Sequence, residues 1–172
     1  MVFMGMPNRE PIDITNRSDF APLPWSRARD VLAAGSFAPC FLGTVRPDGR
    51  PHAASVGAAF HDGDLYFQTG LNTQKARNVA VNPACTMSAS LDGIDLVFEG
   101  EAERVTDPQT VEAVAAVYRE GGWPVEADGA GFTAPYNAPG TGPAPWTVFR
   151  VRFHTVFGVA TAEPHGATRW RF

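Results

Sequence analysis

Hydrophobic and polar positions alternate most strictly late in the chain. From Thr147 to Val159, one face carries Phe149, Val151, Phe153, Phe157 and Val159, and the other carries Arg150, Arg152 and His154. That two-residue period predicts a half-buried β-strand. The run is long for one strand, so a bend or bulge is expected within it. The same period runs from Asp95 to Val105, with Leu96, Phe98 and Ala102 opposite Glu99, Glu101 and Glu103. Three glutamates in that register read as the solvated face of an antiparallel strand. Shorter strand-like runs span Phe37 to Val45, Pro51 to Phe60, Leu65 to Thr69 and Ala84 to Leu91. Asp-Gly turns punctuate them, at Arg46-Pro47-Asp48-Gly49-Arg50, His61-Asp62-Gly63-Asp64 and Asp92-Gly93. Such pairs are strong hairpin signals.

Helical spacing occurs three times. Trp25, Ala28 and Leu32 lie at helical spacing beside the N-cap candidate Ser26, with Gly35 placed as a C-terminal stop. Ala76, Val79 and Ala80 follow Asn72 or Thr73 as cap, and Asn82-Pro83 ends the run. Val111, Val114, Ala115 and Tyr118 follow Asp107-Pro108, and Gly121-Gly122 stops them. These elements predict a mainly β, antiparallel barrel with two or three flanking helices. Residues 1–24, with four prolines and no sustained period, are expected to form an irregular arm, and residues 25–172 a single domain. Residues 121–146 hold six Gly and five Pro together with Trp123, Phe132, Tyr136 and Trp146. A long loop rich in aromatics suits a lid or binding wall; the alternative is that the aromatics pin it to the core.

Composition narrows the classes. A chain of 172 residues with 44% hydrophobic and 19% charged residues is an ordinary globular one. A net charge of −4 argues against nucleic acid as partner. No cysteine or histidine spacing suggests zinc, so no metal site is predicted; Cys40 and Cys85 read as buried free thiols, with a disulfide between them as the alternative. No signal-like or membrane-spanning run is present, which leaves a soluble cytoplasmic protein as the expectation. Dinucleotide, P-loop and nucleophile-elbow motifs are absent.

Two features carry candidate chemistry. In the strand Pro51 to Phe60, one face is small throughout: Ala53, Ser55, Gly57 and Ala59. It either packs closely on a helix or second sheet, or admits a flat ligand against the backbone. The helix that follows the third strand begins with Thr73 and Lys75, and a helix N-terminus with a hydroxyl and an ammonium suits a phosphate.

The order Arg46-Pro-Asp-Gly-Arg-Pro-His52, Leu65-Tyr-Phe-Gln-Thr-Gly70, Lys75-Ala-Arg-Asn78, Asn82-Pro83, Glu99-Gly-Glu-Ala-Glu-Arg-Val105 and Ala167-Thr-Arg-Trp-Arg-Phe172 resembles the FMN-binding split-barrel proteins related to pyridoxamine 5'-phosphate oxidase, and most their flavin/deazaflavin oxidoreductase branch. The resemblance runs from about Trp25 onward. It implies a split β-barrel, a homodimer with cofactor at the interface, and FMN or the deazaflavin coenzyme F-420 as cofactor. It implies that Ala53, Ser55 and Val56 line the ring and ribityl chain. Thr69, Thr73, Lys75 and Asn78 would hold the phosphate end, and Arg169 and Trp170 would lie near the ring, with Arg50 and His52 as neighbours. Arg77 is a candidate for the acidic tail of the deazaflavin. The chain departs from true pyridoxamine 5'-phosphate oxidases in the strand Ala53-Ala-Ser-Val-Gly-Ala58 and the ending Arg169-Trp-Arg-Phe172, which speaks against vitamin B6 as substrate.

The function implied is an oxidoreductase transferring hydride to or from a small conjugated molecule. No catalytic acid or base can be named, which is compatible with a cofactor that carries the chemistry. It also keeps open a non-catalytic carrier or sensor of a flavin or other flat ligand, and an interaction module with an eroded pocket.

Overall fold

The computed structural model describes residues 9–172 apart from residues 35, 36 and 138, and at residues 37 and 38 the backbone alone. The expected helix stop at Gly35 and the first eight residues of the arm lie outside the described residues. Among them are ten strands and three helices. In chain order these are β1 (Asp13–Asn16), α1 (Trp25–Ala34), β2 (Phe37–Val45), β3 (Pro51–His61), β4 (Asp64–Thr69), α2 (Gln74–Val81), β5 (Ala84–Leu91), β6 (Ile94–Arg104), α3 (Pro108–Glu120), β7 (Glu126–Asp128), β8 (Gly131–Thr133), β9 (Trp146–Ala160) and β10 (Ala167–Arg171). No helix of the described residues is long and apolar enough to cross a membrane.

The strands pair in the order β1-β10-β9-β4-β3-β2-β5-β6, and β9 also pairs with β6. Six strands therefore close on themselves as an antiparallel barrel, which removes their free edges. The tight turns do what their residues predict. Gly49, Gly63 and Gly93 have φ of 84°, 81° and 73°, the left-handed region that glycine enters without a Cβ clash. β9 bulges where its register against β6 shifts between Glu99 and Gly100. There a Cβ on Gly100 would collide with the backbone at Arg152, so the close crossing requires glycine.

Two cores result. The barrel interior holds Leu42, Phe67, Met87, Phe98, Val151 and Phe153, and α1 caps it with Trp25, Ala28 and Leu32. Each such large apolar side chain contributes about 1.5–3 kcal/mol on burial. A second core lies outside the barrel wall. There Val111, Val114, Ala115 and Tyr118 of α3 cover Ala59, Tyr66 and Val148, together with Phe132 and Trp146. Asp107 caps α3 by accepting from the Thr110 N–H at 2.8 Å, and Pro108 follows it in the first turn.

The arm is less irregular than its prolines suggest. Asp13–Asn16 adds β1 to the edge of β10, with Ile14 opposite Trp170. Arg9 is held by Asp64 at 3.0 Å, donates to the Phe153 carbonyl at 2.8 Å, and lies over the Phe153 ring. The glycine-rich loop also contains a short hairpin, β7–β8.

Candidate functional site

The small face of β3 is used in two ways. Ala59 is fully buried beneath α3, whereas Ala53 and Ser55 are exposed. Between them Gly57 faces Pro39 of β2, which has no N–H, and the Gly57 carbonyl accepts the Tyr118 hydroxyl at 2.9 Å. Beyond that point the strand is bare. A cavity of about 360 Å³ opens there, lined by Pro39, Ser55, Val56, Gly57, Gln68, Lys75, Pro139 and Thr141. A second, of about 310 Å³, is lined by Gly57, Gln68, Gly121, Gly122, Trp123, Tyr136, Asn137 and Pro139. The two share Gly57, Gln68 and Pro139, so they form one cleft between the barrel wall and the 121–142 loop.

Lys75 is the charged group of this cleft. It is 6% exposed, and its Nζ donates to the Gly140 carbonyl at 3.2 Å. No carboxylate pairs with it among the described residues, and burial holds its pKa below the usual lysine value. A buried ammonium with one neutral acceptor is costly until an anion joins it. The α2 N-terminus that presents Lys75 is well built. Thr73 is its N-cap, accepting from the Ala76 N–H at 3.4 Å and donating to the Gly70 carbonyl at 2.9 Å. Gly70 N–H in turn donates to the Thr141 carbonyl at 2.8 Å, tying the loop to the junction of β4 and α2.

Gln68 is the second unusual group. It is 5% exposed, and its side-chain oxygen Oε1 is buried without a donor. Buried amides without partners are rare and carry a penalty of about 1–3 kcal/mol. An N–H or O–H from a ligand in the cleft would relieve it.

The structure thus brings Ser55, Val56 and Lys75 together. It places the other sequence candidates elsewhere. Thr69 is fully buried behind the helix start, 3.0 Å from the Thr73 hydroxyl. Asn78 is turned inward: its amide donates to Thr44 Oγ1 at 2.9 Å and its carbonyl accepts from Gln74 at 2.7 Å. It supports α2 rather than facing the cleft. His52 and Ala53 line a different, largely apolar cavity of about 580 Å³ with Cys85, Glu99 and His154. Burial, with Arg46 and Lys75 nearby, lowers the His52 pKa. Arg50 is exposed in the β2–β3 turn and paired with Asp48 at 2.7 Å, and Arg77 is exposed and donates to Asn72 and Gln74.

Trp170 corrects the sequence expectation outright. It is fully buried, its ring 5.4 Å from that of Trp25, its N–H donating to the Leu23 carbonyl. A Cβ on Gly158 would meet the Trp170 ring at 2.6 Å. The indole is a core plug with no face left for a cofactor. Arg169 points to the opposite side and donates to Thr15 at 2.8 Å, which keeps it away from the Lys75 cleft of its own chain.

The loop aromatics divide. Phe132 and Trp146 are fully buried and anchor the loop, while Trp123 and the exposed Tyr136 line the cleft. Gln68, Asn137 and Thr141 were not singled out from sequence. The one available signal was a glutamine in the otherwise apolar run Leu65-Tyr66-Phe67.

The larger cavity is the weaker candidate: the cleft holds both the uncompensated cation and the orphaned amide. A family model described as pyridoxamine 5'-phosphate oxidase matches residues 28–160. A pyridoxamine 5'-phosphate oxidase-related, FMN-binding protein from Nostoc punctiforme is 17% identical, with 86% of this chain and 91% of that one covered at a TM-score of 0.57. A pyridoxamine 5'-phosphate oxidase-like protein from Listeria innocua is also 17% identical, with 76% and 94% covered at 0.55. A heme-binding protein from Mycobacterium smegmatis is 19% identical, with 86% and 58% covered at 0.60. At these identities the likeness is one of fold, the split barrel. No curated protein matches the chain.

Proposed function

Because the chain belongs to the pyridoxamine 5'-phosphate oxidase family, we propose that the Lys75 cleft binds a flavin-type cofactor and that the protein is an oxidoreductase moving hydride to or from a small conjugated molecule. The observation that carries this reading is Lys75, a buried cation with a single neutral acceptor at the edge of a bare strand. The residues present fit such a group. Lys75 would hold the phosphate, with Thr69 and Thr73 fixing the helix start behind it. Ser55, Val56 and Gly57 would lie along the flat part, and the Gln68 oxygen would take a hydrogen bond from it. Pro139 and Thr141 would shield that side from water.

When bound, FMN or the deazaflavin coenzyme supplies the hydride chemistry; the chain supplies position and dielectric. Ala53, His52 and the outer face of β2 would then be covered by a second copy, whose Arg169 is the candidate contact across a homodimer interface. Arg169 Nε is buried without a partner in the single chain, which suits that role.

A second reading is supported by the lining itself. None of the residues lining the two cavities is a His, Cys, Asp or Glu, as expected of a non-catalytic flavin carrier or sensor. Turnover of a reduced nicotinamide or reduced deazaflavin with a generic acceptor separates the two.

The binding claim is tested by titrating wild type and Lys75→Ala with FMN and with the deazaflavin coenzyme. Losing a charge-assisted contact of about 1.5–3 kcal/mol weakens binding by roughly ten- to a hundredfold. Equal affinities for both proteins would remove the phosphate assignment.

A further inference from the structure

We propose that Lys75 is also a covalent site: when no anion is held there, its amine condenses with a flat aromatic aldehyde that carries a hydrogen-bond donor, forming an imine. This goes beyond the cofactor reading and stands without it.

The choice of side chain is the first argument. Lys75 is the only lysine in the chain, beside thirteen arginines. Arginine grips a phosphate through two parallel bonds and keeps its proton at any ordinary pH. For anion binding alone, a lysine here gains no charge and gives up that fork. What lysine alone offers is a nitrogen that can lose its proton and become a nucleophile.

The surroundings are the second. Lys75 is buried, its Nζ lies 3.2 Å from the Gly140 carbonyl, and no Asp or Glu lines either cavity of the cleft. Burial lowers its pKa, and His52, whose own pKa is lowered in part by Lys75, brings no negative charge. Desolvation without a counter-charge is what makes a lysine an imine former. A neutral amine still donates one N–H to Gly140, which leaves its lone pair unengaged.

The third argument selects the partner. The cavity at Lys75 holds about 360 Å³ and is bordered by the small Ser55 and Gly57 and by Pro139. That is the size of a small-molecule pocket and suits a flat ring. Gln68 lines the same cavity, and its buried Oε1 lacks a donor. A ring hydroxyl supplies one. Since the reacting amine is neutral, a neutral ring is the fitting partner.

The Nζ lone pair adds to the aldehyde carbon. The nitrogen gives up its two protons through solvent; the carbonyl oxygen takes both and leaves as water as the C=N bond forms. No oxidant or reductant takes part. An ammonium that holds a phosphate has no lone pair, so imine and bound anion exclude one another at one nitrogen.

The test incubates the full chain with 4-hydroxybenzaldehyde, reduces the imine with cyanoborohydride and maps the adducts by peptide mass. The chain's α-amine is the competing position. Lys75 is expected to be labelled severalfold faster in the folded protein than in urea, where it regains its ordinary pKa; a merely buried lysine behaves in the opposite way. 4-Methoxybenzaldehyde, which lacks the donor, should label severalfold more slowly, and Gln68→Leu should erase that preference. Lys75→Arg should leave only the α-amine labelled. Labelling of Lys75 no faster in the folded than in the unfolded chain overturns the imine site. Equal labelling by the two aldehydes overturns the Gln68 contact. Saturating FMN or deazaflavin coenzyme should protect Lys75; labelling undiminished by both keeps the imine and removes the phosphate assignment instead.

Discussion

The two ends of β3 make an instructive pair. The strand carries small residues along one face, and at Ala59 that face is sealed by Tyr118 and its neighbours on α3. Four residues earlier, at Ser55, the same face is open and borders a buried cation. Small side chains therefore have opposite uses within one strand: close packing at one end, access at the other. What decides between them is the helix that arrives from elsewhere in the chain and seats the Tyr118 hydroxyl on the Gly57 carbonyl, beyond the last β3–β4 pair at Ala59 and Tyr66.

That contrast can be broken experimentally. The largest effect is expected at Trp170, where the chain's own core takes a residue the sequence suggested for the ligand. Trp170→Ala should lose about 3–5 kcal/mol of stability in a denaturant melt. A stable protein with lost cofactor affinity would instead return Trp170 to the site. Next, Ala59→Leu should cost about 1–3 kcal/mol by overpacking against α3. Ser55→Leu should leave the melt within about 0.5 kcal/mol yet weaken cofactor binding more than tenfold. If both substitutions alter stability equally, the open end is not open.

A smaller effect concerns pH. Lys75 must be protonated to hold an anion, and burial lowers its pKa from 10.5. Affinity should therefore be full near neutrality and fall as pH rises through that lowered value. Lys75→Arg should remove the fall, because a guanidinium keeps its proton throughout. In the absence of ligand the sign reverses. Between the lowered folded pKa and the unfolded one, the unfolded chain binds more protons, so the Lys75 term favours folding as pH rises. Smallest of all, Cys40 and Cys85 should stay unmodified by a thiol reagent at pH 8 until the protein is denatured. Burial pushes their pKa values up to about 11 and about 12, and only thiolates react.

Much of the barrel was legible because its signals are local. Asp-Gly turns fix a hairpin from two residues, and alternation marks a strand whatever it pairs with. The α2 cap and Lys75 were legible for the same reason. Trp170 was not, because Trp between two arginines reads alike whether the indole meets a ligand or Trp25; only the approach of α1 decides. β1 was invisible since four residues, Asp13 to Asn16, gain strand geometry from the free edge of β10 and not from their own pattern. Asn78 showed the limit of spacing arguments. It lies three residues from Lys75, but Thr44 draws its amide inward. Gln68 became meaningful only when its oxygen proved to lack a partner.

β9 pairs with β4, β6, β8 and β10, and this has a consequence for how the chain acquires its form. The β2–β3, β3–β4 and β5–β6 hairpins join neighbours in sequence and can zip early. Barrel closure must wait for a strand that brings Thr147 against Thr69 and Ala160 against Ile94. Such long loops make closure slow relative to hairpin formation. On a ribosome, an open meander with exposed strand edges would persist until the ninth strand emerged, and that interval is when the chain is most exposed to pairing with the wrong edge.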